Sequence, residues 1–355
     1  MSYDAELGDH KQGDAVSQQV QPSDVRVALA MPEELAARQF TEAEWDRLRE
    51  IADPGDRVLT EYHSASAAAV LAEVEVLITS WGAPRIDATA LSAAPKLRAI
   101  VHAAGTVRFL VADEVWDAGI SVSSMADLNG LPVAEYTLAM ILLENKRVLP
   151  VTEEFRRLRD RPAEEWYEPD AGNYRKRVGL ISASRIGRRV AELLRPFDLE
   201  VVIADPFCDA AEIAALGATK IELDELISTS DIVSLHAPLL PETIGMIGTE
   251  LLQQLRDGAT LINTARGKII DHDALITELR TGRFRAVLDV TDPEPPPADS
   301  PLWDLPNVVL TPHLAGSKGA EIRRMANGAI DEVARIVRGE PLQFQVPPER
   351  RNTVA

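Results

Sequence analysis

The chain has 355 residues, 46% of them hydrophobic, and a formal net charge of -19. That length is more than one compact core fills and suits two domains with a cleft between them. The negative charge offers no positive field to phosphodiester backbones or anionic lipid, which argues against nucleic acid and membrane as partners.

The first two dozen residues are polar and acidic without an apolar segment, so residues 1–23 read as a disordered leader rather than a signal or transit peptide. No run of eighteen apolar residues occurs, and the expectation is a soluble protein. The single cysteine, Cys208, excludes an intrachain disulfide framework and a cysteine-built zinc site and fits a reducing, cytoplasmic compartment. No metal site is expected. From Val25 onward, short β-branched runs (VRVALA, RVLTEY, VEVLITS, LRAIVHAAG, ISVSS) alternate with helical segments such as SASAAAVLAEV and VADEVWDAG. That alternation predicts an α/β fold with a parallel sheet covered by helices. A second series (RVGLIS, EVVIAD, ATKIEL, DIVSLH, ATLINTA, RAVLDV, NVVLTPH) predicts a second doubly wound, Rossmann-like unit. Between the two, a helix is expected to start at Pro132, proline suiting a first turn, and to be apolar on almost every face. Such a helix must be buried between domains or across a dimer interface. The stretch from Glu153 to Arg177, with Trp166 and Tyr167, reads as an extended arm or a surface loop. A last helix follows Gly316 and is free to return to the first unit.

The segment VGLISASRIGRRVAELLRPFDLEVVIADPF has the strand, turn, helix, strand frame of a dinucleotide site, ending in an acidic residue. Its glycine fingerprint is damaged: Ser182 and Ser184 stand at the first two glycine positions and only Gly187 remains. Glycine suits the first because the turn is tight, the second because backbone must approach the pyrophosphate, and the third because the helix packs close to the sheet. A Ser184 hydroxyl would offer phosphate a hydrogen bond of its own. Asp205 ends the next strand, where a carboxylate accepts from ribose hydroxyls and repels a 2′-phosphate, so NAD is favoured over NADP.

Three further strings, LINTARGKIID, VLDVTDPEPPPADSPLW and NVVLTPHLAGS, fall at the carboxyl ends of strands, the edge where such sheets bind ligands. Hydride transfer to a 2-oxo acid needs a cation that grips the carboxylate and polarises the ketone, and an acid for the developing alkoxide. Arg266 and His313 are of those types. A carboxylate on the other ring nitrogen of such an acid fixes its tautomer and favours its protonated form, and Glu294 is the candidate. Taken singly, each has an ordinary structural explanation; their joint occurrence in order carries the reading.

These strings resemble the D-isomer-specific 2-hydroxyacid dehydrogenases, which include glyoxylate and hydroxypyruvate reductases, phosphoglycerate dehydrogenases and formate dehydrogenase. The resemblance runs from about Val25 to Gly339, through HAAG, Asn129, VAEYTLA, RIG, SLHAPLLPET, INTARG, LDVTDPEP and TPHLAGS. It implies Arg266, Glu294 and His313 as the catalytic set, with Ala104 and Gly105 joining Arg266 around the substrate. It implies a cofactor site of Ser184, Arg185, Ile186 and Gly187 at the pyrophosphate and Asp205 at the ribose. His236, Ala237 and Ala265 would lie along the nicotinamide side and Asp289 at the carboxamide, with Pro238, Thr243 and Gly316 also among the cofactor-binding residues. It further implies a discontinuous substrate domain of residues 24–126 and 317–345, an NAD domain of residues 127–316, a tail of 346–355, and a homodimer built on the helix after Pro132. Glu294 stands where the formate-oxidising branch carries glutamine, which argues against formate. Two other functions stay open: a dinucleotide-sensing interaction protein, as corepressor relatives are, and a non-redox homologue whose cofactor site the two serines have weakened. The substrate loop HAAGTVR departs from the commoner pattern and leaves the acid unidentified. Arg108 is a candidate for a second anionic group on it.

Overall fold

The computed structural model describes residues 23–163 and 170–350, so most of the expected leader, the Trp166–Tyr167 pair and the last five residues lie outside the described residues. Five strands, β1 (Val27–Ala30), β2 (Val58–Leu59), β3 (Val76–Thr79), β4 (Ala99–His102) and β5 (Ser121–Ser124), form a parallel sheet in the order β2-β1-β3-β4-β5. Successive residues of its strands point to opposite faces. Ala28, Leu77, Ile100 and Val122 join one core, while Leu29, Val76, Ile78 and Val101 join the other. Helices on both sides explain why these strands read as unbroken apolar runs.

The second sheet has seven parallel strands: β6 (Arg177–Ile181), β7 (Glu200–Ala204), β8 (Thr219–Lys220), β9 (Ile232–Leu235), β10 (Thr260–Asn263), β11 (Arg285–Leu288) and β12 (Val308–Leu310). Their order is β12-β11-β10-β9-β6-β7-β8. The chain reverses direction across the sheet between β6 and β9, which opens a crevice at their carboxyl ends. Register matters here. Ile181, Leu235, Asn263, Leu288 and Leu310 pair in one row, so the segments that begin at Ser182, His236, Thr264, Asp289 and Thr311 emerge side by side.

One helix, α6 (Ala126–Asn145), links the two sheets. It begins six residues before the expected start at Pro132, because the Ser124 hydroxyl accepts the Ala126 amide at 3.2 Å and Ala126 packs into the first core. Pro132 therefore sits inside the helix, where it forfeits one backbone bond and is buried. Further along, Ala134 and Ile141 enter the core of the second sheet. The next helix, α7 (Val148–Leu158), takes in the first part of the segment read as an arm; it is amphipathic and has no buried residue. The last helix, α13 (Ile322–Arg338), returns to the first sheet, burying Met325, Ala329, Ile330 and Val333 against it. After it the chain runs antiparallel to β5, pairing Gln345 with Ser123 and burying Val346. Among the described residues, no helix is long and apolar enough to cross a membrane.

Candidate active site

A cavity of about 640 Å³ lies between the two sheets, over the carboxyl ends of both. Arg266 follows β10. Asn263 fixes it, the side-chain amide donating to the Arg266 carbonyl (3.0 Å) while its oxygen accepts the Ala265 amide (3.0 Å). Gly267 permits the close pass of backbone beside it, since a Cβ there would stand 2.0 Å from the Thr291 carbonyl oxygen. The guanidinium is largely buried; burial lowers its pKa while the charge of Glu294 opposes that shift. His313 follows β12, and its Nδ1 faces Glu294 Oε1 at 2.8 Å with both side chains half exposed. The other ring nitrogen, Nε2, makes no hydrogen bond among the described residues, and His313 lines the cavity. Glu294 thus acts on both partners, touching the imidazole and biasing the guanidinium.

On the opposite wall stands the loop after β4. Its carbonyls are tied back: Ala103 accepts from Gln39 Nε2 (2.6 Å) and Ser80 Oγ (3.3 Å), and the Ser124 hydroxyl donates toward Ala104 and Gly105. The Ala104 and Gly105 amides donate to nothing among the described residues. Gly105 lines the cavity and Ala104 is buried directly before it, so an unpaired N–H group at the wall, backed by a second, is suited to a carboxylate. Arg108 lies outside this lining, its guanidinium stacked 5.5 Å from the Phe109 ring. Trp81 and Lys318 line the cavity and were not singled out from the sequence.

The dinucleotide turn holds Ser182 at φ 81°, a left-handed backbone that glycine adopts without penalty. Its hydroxyl donates to Asp205 Oδ2 (3.1 Å), beside the Ala183 amide (2.8 Å), while Oδ1 accepts the Phe207 amide (2.8 Å). Asp205 therefore ties down the turn as well as closing β7, and it lies outside the cavity lining. Ser184 is the N-cap of α8 (Arg185–Leu194), accepting the Gly187 amide at 3.3 Å. That leaves its hydroxyl proton available. Gly187 has no room for a side chain: a Cβ would meet the Ser182 carbonyl oxygen at 2.1 Å. Arg188, unmarked in the sequence reading, brings a guanidinium to 3.1 Å from the Cys208 sulfur, with Glu212 at 3.6 Å. Arg185 pairs with Asp127 at the start of α6 (2.8 Å).

Of the remaining expected residues, Ile186, His236, Ala237, Pro238, Ala265, Asp289 and Gly316 line the cavity. Thr243 does not. Its hydroxyl donates to the Pro238 carbonyl (2.7 Å) and accepts the Leu240 amide (2.9 Å), so it shapes the loop from behind. His236 is buried, and burial lowers its pKa to about 3; its Nε2 has no hydrogen-bond partner among the described residues.

Residues 138–315 match the family described as D-isomer specific 2-hydroxyacid dehydrogenase, NAD binding domain. The D-3-phosphoglycerate dehydrogenase of Mycobacterium leprae is 32% identical over 272 residues, covering 76% of this chain and 50% of that protein. The chain thus spans about half the length of such relatives. A glyoxylate reductase of Korarchaeum cryptofilum is 30% identical over 332 residues, covering 92% of this chain and 95% of that protein. Among solved structures, the TT0316 protein of Thermus thermophilus superposes with a TM-score of 0.70 at 30% identity, covering 91% of this chain and all of that one (100%). A D-lactate dehydrogenase with NAD+ from Lactobacillus jensenii, TM-score 0.76 at 22% identity, shares the fold.

Proposed function

The chain belongs to the D-isomer-specific 2-hydroxyacid dehydrogenase family, and from that premise we propose that it interconverts a small 2-oxo acid and its D-2-hydroxy acid with NAD(H). The observation that carries this reading is the His313–Glu294 pair at 2.8 Å, whose charge also acts on Arg266, with His313 and Arg266 both lining the cavity that the dinucleotide turn also lines.

The residues present fit the cofactor. The first amides of α8, at Arg185 and Ile186, donate to nothing among the described residues and line the cavity, so an anionic pyrophosphate meets unpaired N–H groups at a helix N-terminus. His236 Nε2 is a buried polar atom that a protein rarely leaves without a partner, and it borders the same cavity. Asp205 keeps acceptor capacity on Oδ1 for a ribose hydroxyl. When bound, NADH supplies the hydride that goes to the substrate's carbonyl carbon. Arg266 grips the carboxylate and draws charge from the ketone oxygen, the Ala104 and Gly105 amides hold the carboxylate from the other wall, and His313 Nε2 delivers a proton to that oxygen. Glu294 keeps the imidazole in the tautomer that presents Nε2 and stabilises the cationic ring.

Residues 24–126 with 317–345 form the substrate side in this reading and residues 127–316 the NAD side, which α13 supports by packing on the first sheet. A homodimer through α6 and α7 also belongs to it: Leu142 and Leu143 are half-buried, and Phe155 (52%) and Leu158 (38%) are exposed. The setting is cytoplasmic, in keeping with a single cysteine. The test is tryptophan fluorescence during NADH titration, then nicotinamide absorbance with glyoxylate, hydroxypyruvate, pyruvate and longer or phosphorylated 2-oxo acids. Saturable binding with turnover of at least one acid is expected. Binding without turnover points to a sensing protein, and no binding to non-redox chemistry; either overturns the proposal.

A further inference from the structure

We propose that Tyr136, on the helix that joins the two sheets, is a positioning residue for the His313 loop, acting through Thr311 and Asp289. The Tyr136 hydroxyl lies 2.9 Å from Thr311 Oγ1, which lies 2.6 Å from Asp289 Oδ1. Direction follows from counting protons. An ionised carboxylate only accepts, so the single Thr311 hydroxyl proton goes to Asp289 and Tyr136 must donate to Thr311. Burial raises the phenol's pKa, the Thr311 bond lowers it and the Asp289 charge raises it, for a net upward shift that keeps the donor protonated.

Asp289 then brackets the general acid. Its carboxylate also accepts the Leu314 amide (2.8 Å) and the Ala315 amide (3.0 Å), and its carbonyl accepts the His313 amide (2.9 Å). One buried residue thereby fixes positions 311, 313, 314 and 315. His313 itself stands at φ 51°, a left-handed conformation that a non-glycine residue keeps only when its surroundings enforce it. The helix carrying Tyr136 grips the neighbouring catalytic loop as well. Thr137 Oγ1 donates to the Val133 carbonyl (2.8 Å), so it accepts from Thr264 (3.1 Å), two residues before Arg266. Consecutive residues of α6 thus hold the loop of the acid and the loop of the cation, and Asn129, two turns earlier, accepts the Ser317 amide (3.4 Å). A helix that spans both sheets sets the spacing of the two reacting groups.

This inference rests on the proposed reaction, so one arm of its test needs no turnover. In protein labelled with carbon-13 histidine, the His313 ring resonance is assigned by its loss in His313→Gln and followed in Tyr136→Phe, Thr311→Val and Thr311→Ser. We expect the Phe and Val variants to broaden or split that resonance and Thr311→Ser, which keeps the hydroxyl, to restore the native line. In the activity arm, kcat falls about three- to tenfold in the Phe and Val variants, the scale of one net hydrogen bond, while NADH affinity stays within twofold. A purely structural role would lower the melting temperature without moving the His313 signal. The proposal is overturned if folded Tyr136→Phe and Thr311→Val both keep a native His313 resonance, whatever their melting temperatures. If the wild type turns over no 2-oxo acid, the proposed reaction falls and the resonance still decides the positioning role.

Discussion

Replacing Ser182 separately by glycine and by alanine isolates the strain held in the dinucleotide turn. At φ 81° the serine pays for a left-handed backbone, about 1 to 2 kcal/mol for a non-glycine residue. Its hydroxyl also donates to Asp205, worth about 1.5 kcal/mol at the low end for a bond to a charged group, because Ser182 is only half-buried. Alanine loses the bond and keeps the strain. Glycine loses the bond and the strain together, less a few tenths for its freer unfolded chain. Ser182→Ala should therefore unfold at clearly lower urea than the wild type, and Ser182→Gly close to it, the two variants differing by about 1 kcal/mol at an unchanged slope. NADH titration supplies the functional arm: removing the hydroxyl frees Asp205 Oδ2, and glycine should tighten binding by about tenfold at most. Equal unfolding midpoints for the two variants would refute the reasoning, since no strain would then distinguish them.

Arg266→Lys keeps the charge but loses the planar fork, so kcat/KM should fall by about 2 to 4 kcal/mol in transition-state terms, and near-native kcat/KM would make Arg266 structural. Glu294→Gln keeps the shape beside His313 Nδ1 and removes the charge that holds a cationic ring; kcat should drop about a hundredfold in steady-state assays, with NADH affinity unchanged. Acid should weaken the fold in two stages. Burial holds His102 at about 4 instead of 6.5, so the unfolded chain takes up that proton first and stability is lost as pH falls from 6.5 toward 4. Burial works against the charge of Glu44, but hydrogen bonds from Arg323, Thr41 and Asn327 outweigh it and hold the carboxyl at about 2 instead of 4.5, so its contribution is lost as pH falls from 4.5 toward 2. Melting temperatures measured from pH 8 to 4 should decline already below 6.5, and less steeply in His102→Gln; parallel curves would exclude the histidine.

The strands were legible because both faces of each sheet are covered, which leaves unbroken apolar runs that periodicity detects. The two shortest, Val58–Leu59 and Thr219–Lys220, are the outer strands on one side of each sheet, where pairing with a single neighbour supports fewer residues than RVLTEY and ATKIEL suggested. Proline misled at the start of α6: a first-turn preference placed the helix at Pro132, whereas Ser124 and the first core begin it at Ala126. The alternation of Phe344 and Val346 with Gln343 and Gln345 after the last helix is a strand signal, and this segment pairs with β5. In the site, Arg266, Glu294 and His313 were legible as candidates only through their joint occurrence in order, in three strings at the carboxyl ends of strands, since each alone has an ordinary structural explanation. Asn263, Thr311, Tyr136 and Thr137 were not legible in that way. A hydroxyl on an otherwise apolar helix looks like any tolerated polar residue, and Tyr136 acquires meaning only when the fold closes 175 residues to bring it to Thr311. What local sequence conveys is which groups can react; which groups hold them at reacting distance is a property of long-range contacts, and here those contacts converge on α6.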